Sequence, residues 1–151
     1  MTLVFNVTKV RELMTPHPLL VSPDATLDDA AKKMETINCG ALPVGSENNV
    51  TGMITDRDIV IRGLAHGKNS SVEKVSSCMT TQVYDCGEND SIEAAVATMH
   101  KYKVSQLVVK DKEGKVTGLL SLGCFLRNEA DPKEIAEIIR HCGGPVSASV
   151  H

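Results

Sequence analysis

Two stretches of the chain carry the same spacing of apolar residues. In LDDAAKKM, Leu27, Ala30, Ala31 and Met34 fall at i, i+3, i+4 and i+7, which predicts a helix with one buried stripe. Ile92, Ala95, Val96 and Met99 repeat that spacing. Thr26 and Ser91 stand one place ahead of the stripes, where a side-chain oxygen can accept from the free amides of a helix start. A short apolar run follows each helix, ALPV at 41–44 and QLVV at 106–109, and predicts a strand. Loops holding Gly45, Ser46 and Asn48, or Asp111 and Gly114, lead into second runs, VTGMI and VTGLL, and another helix starts directly after each. With a first strand near 19–21 or 83–86, the unit reads strand, helix, strand, turn, strand, helix.

The pattern is an internal repeat. An offset of 65 superposes Val10 on Val75, Met14 on Met79, Thr15 on Thr80, Leu42 on Leu107 and Val44 on Val109; one extra loop residue then brings the two VTG triplets together at 66. The organisation expected is a first repeat over 8–65, a linker over 66–74 and a second repeat over 75–130. A closing helix over 131–144 and a tail over 145–151 follow. The linker assignment rests on Gly, Ser and Asn with little apolar content. The closing helix rests on Asp131 as cap, Pro132 in the first turn, Glu134, a stripe of Ile135, Ile138, Ile139 and Cys142, and the stop at Gly143–Gly144. A unit of about 60 residues buries too little surface to be comfortable alone, so the two apolar sheet faces are expected to cover each other.

Composition narrows the function. A formal charge of −3 argues against a protein that grips phosphate backbones, and two Phe, two Tyr and no Trp leave little for base stacking. The five cysteines, Cys39, Cys78, Cys86, Cys124 and Cys142, form no Cys-x-x-Cys pair, so neither a disulfide framework nor a zinc ribbon is written. No stretch reaches the roughly 18 apolar residues of a membrane span, and the opening MTLVFNVTKVREL lacks a secretory core. A cytoplasmic protein with reduced thiols, no nucleic-acid partner and no membrane partner is expected. The histidines are scattered, so no metal site is expected. No nucleophile–base pair, carboxylate dyad or phosphate-cradling glycine loop asks for catalysis.

The chemistry concentrates at one junction. Thr55 follows the strand GMI and precedes a helical run, with Asp58 three places on. One reading is a helix cap, in which the hydroxyl and the carboxylate exchange bonds with backbone amides. Another starts from the same helix start, whose amides and dipole suit an anion, and from Asp58 as an acceptor for two adjacent ribose hydroxyls. Arg57 could neutralise phosphate, whereas Asp56 would repel it and is expected to point outward.

Tandem units on the pattern Gly-h-h-[Ser/Thr]-x-x-Asp, complete in the first copy, with GALPV at 40–44 leading into GMITDRDIV at 52–60, resemble a pair of CBS domains, or Bateman module, of the stand-alone bacterial type. The resemblance spans about residues 8 to 128. It implies a mixed α/β (α+β) fold of tandem βαββα repeats packed sheet to sheet with pseudo-twofold symmetry. It also implies two clefts between the repeats that take adenosine compounds such as AMP, ADP, ATP or S-adenosylmethionine. Carried onto this chain, the main cleft would use Thr55, Arg57, Asp58, Thr80, Val104 and Ser105. The second would use Thr15, Leu20, Cys39, Gly40 and Ser121, but Cys124 stands at its Asp position, and sulfur is a weak acceptor. One competent cleft and one weak or empty cleft are therefore expected.

The function implied is a regulatory sensor with an adenine nucleotide as ligand and no catalytic cofactor. Because the 151 residues show no output domain, an effector protein or a change of oligomer would carry the signal, and homodimerisation is expected. Two alternatives stay open: a dimeric scaffold without ligand, and a cysteine-based redox sensor using Cys124 or Cys39.

Overall fold

The chain is seen in a computed structural model that describes residues 9–127 and, singly, 133, 136 and 140. In chain order the elements are α1 (Val10–Leu13), β1 (Thr15–Pro16), α2 (Leu27–Ile37), β2 (Ala41–Ser46), β3 (Asn49–Thr55), β4 (Asp85–Gly87), α3 (Ile92–Tyr102), β5 (Gln106–Lys110), β6 (Val116–Ser121) and α4 (Leu122–Arg127). Between β3 and β4 lie a π-helical stretch, Asp58–Gly63, and two 3-10 turns, Leu64–His66 and Val75–Ser77. The mixed α+β class expected from the pattern is present. The closing helix, its apolar stripe and the tail lie outside the described residues, apart from Lys133, Ala136 and Arg140, which are helical and exposed.

Two compact units divide the chain, and they do not follow the sequence repeats. Pro18–Val83 forms one, and, among the described residues, those from 9 to 17 join those from 84 to 127 to form the other. The opening segment of each repeat therefore folds with the body of the other. In the second unit the sheet order is β1-β6-β5-β4, with Thr15 opposite Leu119 and β4 parallel to β5. The Pro18–Val83 unit keeps the same plan with shorter outer strands: β2 pairs with β3, Val21 bridges Val44 in parallel, and Thr80 bridges Met53.

The strand expected at 19–21 is thus a single bridge at Val21. Pro16, Pro18 and Pro23 around it have no backbone N–H to donate, which limits a longer ladder. Residues 66–74, read from the sequence as a linker, fold back on the Pro18–Val83 unit. The carbonyls of Glu73 and Ser70 accept from Leu27 and Asp28, the first amides of α2. Those amides have no partner inside the helix, so this contact completes its start.

Both expected helix caps form. Thr26 and Asp29 exchange bonds at 3.1 and 3.2 Å, and Ser91 Oγ accepts from Ala94 N at 3.1 Å. The amide and hydroxyl of Thr26 hold the Asp29 carboxyl below its usual range. Both helices end on left-handed residues, Asn38 (φ 50°) and Lys103 (φ 55°). In α3 the whole stripe is buried. In α2, Leu27, Ala30 and Met34 are buried but Ala31 is exposed, contrary to the pattern; a lone methyl at the stripe's edge gives up little by facing water. One core gathers Leu27, Leu42, Val44, Ile54 and Val75, the other Ile92, Met99, Leu107, Leu120 and Phe125.

Candidate ligand-binding sites

The junction after β3 closes on itself. Thr55 Oγ1 accepts from Asp58 N at 3.0 Å, and Asp58 Oδ2 accepts from Thr55 N at 3.0 Å. The Asp58 side chain is 13% exposed, and its Oδ1 lies 3.8 Å from Arg62 Nε. An ionised carboxylate offers about four acceptor positions, so the cap leaves Asp58 capacity for hydroxyls from outside. The helix-cap reading and the ribose reading are therefore compatible on one side chain.

Around this junction Arg57 is exposed. Asp56 is exposed too, and its Oδ2 lies 2.8 Å from where a side-chain carbon on Gly40 would stand. Its carboxylate thus sits over Gly40, one of the residues assigned to the second cleft, where it would repel a phosphate. Thr80 is half-buried and bound through its backbone to Met53, both bonds 2.8 Å. Gly52 makes that approach feasible, since a Cβ there would come 2.8 Å from the Thr80 carbonyl oxygen. Leu20 is half-buried, its carbonyl accepting from Lys33 Nζ at 3.3 Å, and Cys39 Sγ points at Ala41 O at 3.4 Å. The Pro18–Val83 unit thus holds Leu20, Cys39, Gly40, Thr55, Arg57, Asp58 and Thr80.

Thr15, Val104, Ser105 and Ser121 belong to the other unit. Val104 packs against that unit's core, and Ser105 is half-buried. At the junction after β6 a sulfur takes the carboxylate's place. Ser121 N donates to Cys124 Sγ at 3.4 Å, Arg127 Nη2 donates to the same sulfur at 3.3 Å, and Arg127 Nη2 also donates to Thr15 Oγ1 at 2.8 Å. Cys124 is fully buried. Cys86, buried beside β5, is a different case: burial first, then Asp90 and Asp85, push its thiol up to about 12.

Arg62 and Arg127 were not singled out from the sequence, yet each reaches from its helix to an opening segment. The signal was partial: both junction sequences end in arginine, DIVIR and CFLR, but Arg62 stands four places after Asp58 and Arg127 three places after Cys124. Among the described residues no group of His, Cys, Asp and Glu could hold a metal ion, and no helix is long and apolar enough to cross a membrane.

A repeated βαββα unit whose second helix starts on a Thr/Asp box in the first copy, and on Ser121 and Cys124 in the second, defines a class, the tandem CBS pair. The CBS domain family matches residues 10–64 and 72–131, and the chain belongs to that family. The CBS domain-containing protein YhcV of Bacillus subtilis is 34% identical over 122 residues, 81% of this chain and 86% of that protein. CBSX2, solved in complex with AMP, is similar with a TM-score of 0.63 at 25% identity, covering 80% of this chain and 95% of that one. The CBS domain pair of MJ0100, solved with 5′-methylthioadenosine and S-adenosyl-L-methionine, is similar with a TM-score of 0.70 at 25% identity, covering 80% and 94%.

Proposed function

We propose that this chain is a non-catalytic regulatory module of the cytoplasm that binds an adenine nucleotide through Thr55, Asp58 and Thr80. The observation that carries the reading is the half-buried Asp58 carboxylate, which caps its helix with one oxygen and retains acceptor capacity for a sugar diol. The family supports it: CBSX2 carries AMP, and MJ0100 carries two adenosine derivatives. At the corresponding place after β6, Cys124 offers a weak acceptor already engaged by Arg127 and Ser121, so the second set of residues is the poorer one.

Binding energy can bias the molecule only as far as the ligand prefers one arrangement over another. An effector protein or a second copy of the chain would then read the change. Calorimetry with AMP, ADP, ATP, reduced dinucleotide and S-adenosylmethionine tests the reading. Heat with at least one of them, reduced at least tenfold in affinity by Asp58→Ala without loss of fold, is expected, since charge-assisted bonds shielded from water are worth roughly 1.5–3 kcal/mol each.

A second reading, a ligand-free dimeric scaffold, is favoured by one feature. Val60, Ile61 and Leu64 lie on consecutive helical turns and are 51%, 44% and 53% exposed. Silence toward the whole panel, together with a dimeric mass in sedimentation, would favour that reading.

A further inference from the structure

We propose that Arg62 is the positioning residue of the nucleotide site in the Pro18–Val83 unit; the inference rests on the nucleotide reading above. Its guanidinium joins the two parts of the chain that the site needs. On one side Nη1 donates to the carbonyls of Met79 at 3.1 Å and Cys78 at 3.4 Å. On the other, Nε lies 3.8 Å from Asp58 Oδ1. Thr80 directly follows the carbonyls that Arg62 holds, and its own amide and carbonyl are fixed to Met53. The segment 78–80 is thus pinned from β3 on one flank and from the helix on the other, and Arg62 sets how far Thr80 stands from Asp58.

The chemistry suits arginine and no other side chain. A planar fork with several fixed donors can meet two carbonyls and a carboxylate together, whereas an ammonium is a point donor on a flexible stem. The 3.8 Å approach to Oδ1 is longer than a hydrogen bond, so the cation orients the carboxylate without consuming the oxygen that a ribose hydroxyl would use. At 53% exposure for its side chain, Arg62 adds little to stability through this ion pair.

The other unit supplies the contrast. Arg127 stands three places after Cys124, where Arg62 stands four after Asp58, and it too joins a helix to an opening segment. There it bonds directly to the hydroxyl of Thr15, the counterpart of Thr80, and to the sulfur of Cys124, the counterpart of Asp58. One arginine frames its acceptor and leaves it available; the other engages both groups that would have met a ligand.

The test is calorimetry on the full chain with AMP, ADP and ATP, each beside its 2′-deoxy form. Wild type should prefer the ribonucleotide of at least one pair. Arg62→Ala should weaken that ribonucleotide by about tenfold or more and bring the two forms close together, because a misplaced Asp58 loses the 2′-hydroxyl bond. Arg62→Lys, which keeps the cation but not the fork, should bind with intermediate affinity, and it serves if the alanine variant does not fold. Arg62→Ala added to Asp58→Ala should cause little further loss. Unchanged affinity and preference in folded Arg62 variants, with wild type binding, would overturn the positioning role alone. A wild type silent toward all six compounds, and toward the reduced dinucleotide and S-adenosylmethionine, would overturn the nucleotide reading and this inference together.

Discussion

Asp58 and Cys124 occupy matching places in two copies of one junction, and both accept from the amide of the residue three positions before. What differs is what remains for a ligand. The carboxylate keeps open acceptor positions, while the sulfur, fully buried, already meets a guanidinium and an amide. Burial also sets the reactivity of the Cys86 thiol. Cys86 is pushed up to about 12 from an ordinary 9.0, chiefly by loss of water. Below the lower value both folded and unfolded chains hold the proton, and the full contribution to stability is present. As pH rises toward the folded value only the unfolded chain releases it, so stability falls. In denaturant titrations between about pH 9 and pH 11, wild type should therefore lose up to roughly 1.4 kcal/mol per pH unit more than Cys86→Ala. Parallel curves for the two proteins would contradict that origin.

The elements show which features the sequence spells and which it leaves to topology. The caps at Thr26 and Ser91 and the stripes they precede were legible because each is a local arrangement of side chains on one turn of helix. The Thr55–Asp58 box was legible for the same reason. Exchange of the opening segments was not, because Thr15 and Thr80 are recruited through backbone groups that every residue carries. Its trace is steric: Gly52 and Gly118, the central residues of the strands that accept them, face Met79 with Thr80 and Met14 with Thr15. In Gly52→Ala the new methyl meets a carbonyl oxygen that is itself bonded to Met53, so relief requires backbone movement. A loss of about 1–3 kcal/mol in unfolding free energy is expected from chemical denaturation, with weaker nucleotide binding as Thr80 is displaced. A fully stable alanine variant would show that the opening segment yields easily. Arg62 escaped notice because an exposed arginine two turns into a helix resembles any solvated charge until its acceptors, two distant carbonyls, are seen.

At the scale of the whole molecule, repetition supplies the architecture, and departure from repetition supplies the difference between the two helix-start boxes. Each compact unit has its own core and its own helix-start box, yet each borrows its opening segment from the other repeat. Only one box retains an acid. Duplication alone would give two equivalent boxes; here Cys124 stands at the acid's place in the second, and Arg127 engages both that sulfur and Thr15. The number of adenine nucleotides bound per chain, measured by calorimetry at saturation, tests this most directly. One ligand per chain is predicted, abolished by Asp58→Ala and retained in Cys124→Ala. Two equivalent ligands, or one that survives loss of the Asp58 carboxylate, would contradict it.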